Sequence, residues 1–219
     1  MSHKPFFPRT APITAMVDRK ADMVASFLDQ SVRDLLDLFG AGKTTPGAGS
    51  AAALAGVLAG SLLQSVALYM VREAEKQGDG ALRERAEKQL EEAQARSARL
   101  CLAVDEDAAA FERFWRQGRR QEDLEQATRI PLGIAEDCLV LAELGRALAD
   151  SGFRNARGEA VAATLSALAQ AESALEIVRL NLKAARDAPW AAEIAETSRR
   201  LGSRLEDVRA GCTPGRSAP

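Results

Sequence analysis

One stretch, Ala51 to Val71, constrains the fold of this chain more than any other. It is apolar on almost every face, yet Gly56, Gly60, Ser61, Gln64 and Ser65 interrupt it and much of the rest is alanine. A membrane span needs about 20 predominantly apolar residues, so no membrane partner is expected. The pattern predicts a helix buried inside a protein core, which is hydrophobic nearly all round. Ala52, Ala55, Gly56, Ala59 and Gly60 are small enough to let neighbouring helices approach closely. Only 5% of the residues are aromatic, so the core must be built mostly from Ala, Leu and Val. That composition favours packed helices over a sheet, where β-branched and aromatic residues are preferred. No Val/Ile/Tyr-rich alternating run occurs, and no strand is predicted. The expected fold is all-α, an antiparallel bundle of long helices. Its apolar surface is hard to cover in one small bundle, so a dimer is expected.

Turn residues divide the rest of the chain. A leader without periodicity spans 1–20, one helical domain spans 21–210, and a Pro/Gly/Ser tail spans 211–219. One domain suits 219 residues at roughly 150 per domain. A first helix is expected over Asp22–Leu38, in one piece or two, with Ser31 and Asp34 as an internal capping signal. Four glycines and Pro46 make residues 40–50 a loop. Ser50 is the expected N-cap of the buried helix, which runs to Gln77. A charged helix over Ala81–Gln117 follows, then Glu122–Ala149 with Pro131 kinking or splitting it. The segment 151–158 reads as a second loop, and helices over Glu159–Arg186 and Pro189–Arg209 complete the domain.

Residue counts exclude much chemistry. Lys and Arg number 29 against 31 Asp and Glu, a net charge of −2, which argues against a nucleic-acid partner. The single histidine, His3, sits in the leader. Ser-His-Asp and Cys-His machinery, His-ligated zinc and H-E-x-x-H helices all need a histidine in the fold, so no metal is expected. Cys101, Cys138 and Cys212 form no C-x-x-C and no secreted disulfide pattern, which fits packing residues in a reducing cytoplasm. Any catalyst here uses carboxylates, lysine, tyrosine, hydroxyls, amides or backbone dipoles.

Gly42-Lys43-Thr44 invites a phosphate-loop reading, but Asp37 stands where that motif needs its first glycine and no strand precedes it. The stronger signal is Thr45-Pro46-Gly47-Ala48-Gly49-Ser50-Ala51-Ala52-Ala53-Leu54-Ala55-Gly56. Loop glycines let backbone N–H groups reach a ligand, and the helix behind adds a positive dipole end. The competing reading is a tight turn with a serine cap.

Further signals follow in order: Ser31-Val32-Arg33-Asp34-Leu35-Leu36, then Asp105-Glu106-Asp107-Ala108-Ala109-Ala110-Phe111, then Ile130-Pro131-Leu132-Gly133-Ile134-Ala135-Glu136, Asn155-Ala156 and Val178-Arg179-Leu180-Asn181-Leu182. In this order they resemble the cyclodeaminase/cyclohydrolase family, which includes the cyclodeaminase domain of formiminotransferase-cyclodeaminase and the helical methenyltetrahydrofolate cyclohydrolases. The resemblance runs from Ser31 to Lys183. It implies a helical bundle that dimerises and a tetrahydrofolate derivative carrying a one-carbon unit as substrate. It implies substrate-binding roles for Thr45, Pro46, Gly47, Gly49, Ser50, Asn155, Arg179 and Asn181, and catalytic roles for Asp107 and Glu159. There are departures. Ala48 replaces the middle glycine of T-P-G-G-G-S. An Asn and a Gly-Lys-Lys stretch are absent from 68–76. Asn-Ala-x-Ser-Asp-Ala becomes Asn155-Ala156-Arg157-Gly158-Glu159-Ala160, and Asn-Val-Arg-x-Asn begins with Ile177.

The family's chemistry needs an acid/base group, a positioned water and negative charge near a cationic carbon. Asp107 shares a helix face with Ala103 and Phe111. A carboxylate beside apolar neighbours has a raised pKa; the competing reading is a solvated acidic knot of Asp105, Glu106 and Asp107. Glu159 begins a helix, where the dipole alone favours an acid. Arg154 and Arg157 flank Asn155 and are candidates to hold a carboxylate. Arg179 is placed to pair with Glu176 at i,i+3. The expected function is a folate-dependent cyclohydrolase or cyclodeaminase. The alternative is a non-catalytic helical homologue, folate-binding or structural, that has lost active-site residues. A third reading, an adaptor using the charged helix 81–117, is explained as well by a solvated face.

Overall fold

The computed structural model describes residues 26–151, 154–185 and 188–212. The expected leader and residues 213–219 of the expected tail lie outside them, as do Arg186 and the side chain of Arg154. Six α-helices and no strand occur among the described residues. They are α1 (Val32–Gly40), α2 (Ala48–Gln77), α3 (Gly80–Arg116), α4 (Gln121–Ala149), α5 (Arg157–Ala184) and α6 (Pro189–Cys212). One 3-10 turn, Phe27–Asp29, precedes α1 and another, Arg154–Ala156, precedes α5.

The Ala/Gly-rich stretch forms the middle of the bundle. α2 packs against α3, α4 and α5, while α6 lies on α4 and α5. A Cβ at Gly56 would stand 2.7 Å from the Cys138 sulfur, and one at Gly60 would stand 2.1 Å from Ser97 Oγ. Thus α4 and α3 reach the α2 backbone itself, which only glycine permits. The surrounding core is Ala52, Ala53, Leu63, Leu100, Val104, Leu141, Ala163 and Ala167, all buried. Burial pushes the Cys138 thiol up to about 12, so it packs as a small apolar residue.

Local signals set the helix ends. Ser31 accepts the Asp34 N–H at 3.1 Å and starts α1. The described part of the expected Asp22–Leu38 helix is in two pieces, the 3-10 turn Phe27–Asp29 and α1, which runs on to Gly40; residues 22–25 lie outside the described residues. Left-handed Gly78 closes α2 and Asp79 caps α3 by accepting the Leu82 N–H at 2.9 Å. Three expectations are corrected. α2 starts at Ala48 with Gly47 as its N-cap, so Ser50 lies inside the first turn and caps nothing. Pro131 neither splits nor ends α4. Arg157 and Gly158 belong to α5 and Cys212 to α6, not to a loop and a tail.

Two polar ties fix α3. Asp137 of α4 is buried and accepts from Arg96 and Arg99 of α3. Asp105 accepts the Ser26 hydroxyl and, at 2.9 Å, the Phe27 N–H. That second tie docks the 3-10 turn on α3 just ahead of α1 and the Gly/Pro loop.

Candidate active site at the start of the second helix

A helix turns 100° per residue, so Asp105, Glu106 and Asp107 cannot share an environment. Asp105 holds the N-terminal turn, Glu106 is exposed, and Asp107 faces the first turn of α2. The acidic knot is therefore three separate carboxylates. Ser50, fully buried, donates its hydroxyl to Asp107 Oδ2 at 3.1 Å. A Cβ at Gly49 would stand 2.1 Å from Asp107 Oδ1. The carboxylate thus rests on the bare α-carbon of Gly49, and no other residue could seat it there. Burial raises the Asp107 carboxyl above its ordinary 3.8, opposed by the Ser50 hydroxyl and the Ser50 backbone N–H.

Asp107 opens into a cavity of about 230 Å³. Thr44, Thr45, Gly47, Ala48 and Gly49 form one wall; Asp107 and Phe111 come from α3, Ala127 from α4, Ile177 and Asn181 from α5. Among the described residues, Asp107 is the one carboxylate in this lining, and no lysine or arginine joins it. Ala48, where the resemblance implies glycine, lines the loop wall.

Asn181 has a structural task as well. A proline at 131 has no N–H to give the carbonyl of Ala127, four residues before it. Asn181 Nδ2 donates to that carbonyl at 2.9 Å. One side chain of α5 thereby completes the interrupted ladder of α4 and fixes the pocket's far wall.

The sequence-predicted residues divide into two groups. Thr45, Gly47, Gly49, Asp107 and Asn181 line the cavity, Ser50 backs Asp107, and Pro46 is buried behind the loop after a cis peptide bond. Asn155 and Glu159 are not with them. Both are exposed at the N-terminal end of α5. At 1.5 Å per residue, Glu159 stands about 33 Å along α5 from Asn181, so within one chain it shares no pocket with Asp107. Arg157 lies at that same far end. Arg179 points to solvent and pairs with Glu176 at 2.8 Å, the expected i,i+3 contact. The cavity residues Thr44, Ala48, Phe111, Ala127 and Ile177 are not among the binding residues the sequence predicts. Phe111 and Ile177 have a signal, each one helical turn from Asp107 or Asn181; Thr44 stands in the rejected Gly42-Lys43-Thr44 match, and Ala127 has none.

The profile of the formiminotransferase-cyclodeaminase family matches residues 31–200. The chain belongs to this family. A methenyltetrahydrofolate cyclohydrolase of Methylorubrum extorquens is 26% identical over 181 residues, covering 75% of this chain and 85% of its own. The crystal structure of formiminotetrahydrofolate cyclodeaminase from Thermotoga maritima superposes with a TM-score of 0.77 at 22% identity, covering 84% of this chain and 94% of that one. The all-helical fold is thus shared with that enzyme. Within this fold, the departures from the family pattern gather mostly at one end. Segment 68–76 and residues 155–159 both lie at the far end, where Ser151 approaches Met70 at 3.8 Å. The cavity end keeps T-P-G-x-G-S, Asp107 and Asn181, and departs only at Ala48 and Ile177.

Proposed function

We propose that this protein is a one-carbon enzyme acting on methenyl- or formimino-tetrahydrofolate, with Asp107 as its acid/base. The observation that carries this reading is the Asp107 carboxylate, pushed upward by burial, seated on Gly49 and opening into the cavity. A carboxylate poised above its ordinary range suits proton transfer nearer neutrality. It also supplies negative charge opposite a cationic amidinium carbon. In the cyclohydrolase direction, a water oxygen bonds to the methenyl carbon as Asp107 takes the water's proton. The carbon–nitrogen bond to one ring nitrogen then breaks, Asp107 gives its proton to that nitrogen, and the adduct's hydroxyl loses its own proton to solvent as the formyl C=O forms. In the cyclodeaminase direction, a folate N–H nitrogen attacks the carbon of the protonated formimino group, Asp107 takes that nitrogen's proton and passes it to the amine nitrogen, and the bond from carbon to that amine breaks to release ammonia.

The Ser50 hydroxyl orients the carboxylate, and Thr44, Thr45 and Asn181 supply polar atoms to hold the substrate. We assign no chemical step to Glu159, and none to Asn155 or Arg179. The protein acts in the cytoplasm as a homodimer. Leu58 and Leu62 on α2, and Val161 and Leu165 on α5, are exposed on two helices that pack on each other. Only 44% of the most apolar stretch of each helix is buried, and a second copy covers the remainder.

Two assays test the reading with the purified protein. One follows the near-ultraviolet absorbance of methenyltetrahydrofolate, the other the ammonia released from formiminotetrahydrofolate. Turnover above buffer in either supports it and names the reaction. Silence in both, with folate still bound, favours the non-catalytic alternative, for which the altered far end is the supporting observation.

A further inference from the structure

The cavity is small for its proposed ligand. Pockets that enclose a drug-sized molecule run from about 300 to 1,000 Å³, against about 230 Å³ here. A tetrahydrofolate has a reduced bicycle, an aromatic amide ring and a glutamate with two carboxylates. Only the first fits inside, so the rest must lie on the surface at the cavity's edge.

That edge carries a built stripe. Phe111 lines the cavity and stacks on Trp115, one turn further along α3, with centroids 6.3 Å apart and planes 20° apart. Trp115 is 51% exposed, unusual for the largest apolar side chain. One turn beyond, the Arg119 guanidinium lies 4.1 Å over the Trp115 ring. Arg119 takes a left-handed φ of 60, rare for a residue with a side chain. Its N–H bonds to the Phe114 carbonyl at 3.0 Å, folding the chain back at the helix end. A guanidinium stacked on a ring keeps its N–H donors in the plane, where they match a carboxylate in two-point fashion.

We infer that Phe111, Trp115 and Arg119 form the subsite for the substrate's aromatic, carboxylate-bearing tail. The amide ring lies against Trp115, and a glutamate carboxylate meets Arg119. This inference rests on the folate reading above, and the experiment separates the two.

Binding is measured by calorimetry with 5-formyltetrahydrofolate, with a 5-formyl-tetrahydropterin lacking the tail, and with N-(4-aminobenzoyl)glutamate, the tail alone. Trp115→Ala weakens the whole folate by about tenfold, the scale of a lost aromatic stack. It also abolishes binding of the tail alone and leaves the pterin unchanged; Trp115→Phe restores most of the affinity, and Arg119→Gln behaves like Trp115→Ala. If the parent binds whole folate but Trp115→Ala binds it equally well, the subsite is wrong and the folate reading stands. Equal losses for folate and pterin also overturn it, because Trp115 then only braces Phe111. A parent that binds none of the three overturns both.

Discussion

At Asp107 the same burial that suits catalysis costs stability. The folded state holds this proton more tightly than the unfolded chain does. The penalty is therefore absent below the ordinary value of 3.8 and grows as pH rises towards the raised folded value. Asp107→Asn, which cannot ionise, is expected to melt above the parent at neutral pH, with the difference vanishing below about pH 3.8. The same variant should lose about 10²–10⁴-fold in turnover while keeping its folate affinity. Turnover at the parental rate would remove Asp107 from the mechanism. Ser50 makes a sharper test. It donates to Asp107 and caps nothing, so Ser50→Ala should move the ionisation seen in the parent's pH–rate profile upward, because a bond favouring the charged form is gone. A profile left in place would mean that the hydroxyl does not reach the carboxylate in solution. Gly49→Ala should abolish turnover outright, since its Cβ would stand 2.1 Å from Asp107 Oδ1.

Among the helices, α4 is held by a side chain from another element. Pro131 removes one donor from its ladder, and Asn181 of α5 replaces it at the Ala127 carbonyl. Asn181→Ala leaves a buried carbonyl without that partner, which costs about 1–3 kcal/mol. In a Pro131→Ala background the backbone N–H returns to the same carbonyl, and the cost of Asn181→Ala should fall below 1 kcal/mol or so. Urea unfolding of the four proteins measures this. An equal cost in both backgrounds would mean that Asn181 acts elsewhere. From the sequence, Pro131 reads as a break and Asn181 as a ligand-binding residue. Each reading lacks the other residue, 50 positions away along the chain. Apart from the start of the first helix, the element boundaries were otherwise legible within a few residues, because Ser31, Gly78, Asp79 and Gly118 act on their own neighbours. The start of α2 was not, because Ser50 satisfies capping preferences equally well as a cap or as a buried donor to a distant acid.

For the whole molecule, the exposed leucines of α2 and α5 are the feature a monomer explains least. Leu58 is 62% exposed and Leu165 55%. Light scattering at micromolar concentration should return twice the chain mass of 23.4 kDa. Leu58→Glu combined with Leu165→Glu should return the monomer while keeping the helical circular dichroism, since neither side chain is buried within the bundle. A parent already monomeric would show that this face stays open. Family departures also acquire meaning only at this scale: spread along the sequence, most of them gather at the end of the bundle remote from Asp107.

The sequence by itself determined the helical class, most of the boundaries, the burial of the small-residue face of the Ala51–Val71 run but not of the face that carries Leu58 and Leu62, the family, and the loop and carboxylate of the candidate site. These follow from short-range rules: turn chemistry, helical period, and small residues where backbones must meet. Only the tertiary structure decided which of the predicted residues stand together. It put Gly49 under Asp107, 58 positions apart, and joined Asn181 to Ala127. It also left Glu159 about 33 Å along α5 from Asn181, and Asn155 beyond it, because helices rise 1.5 Å per residue and a long α5 carries its two ends to opposite sides of the molecule.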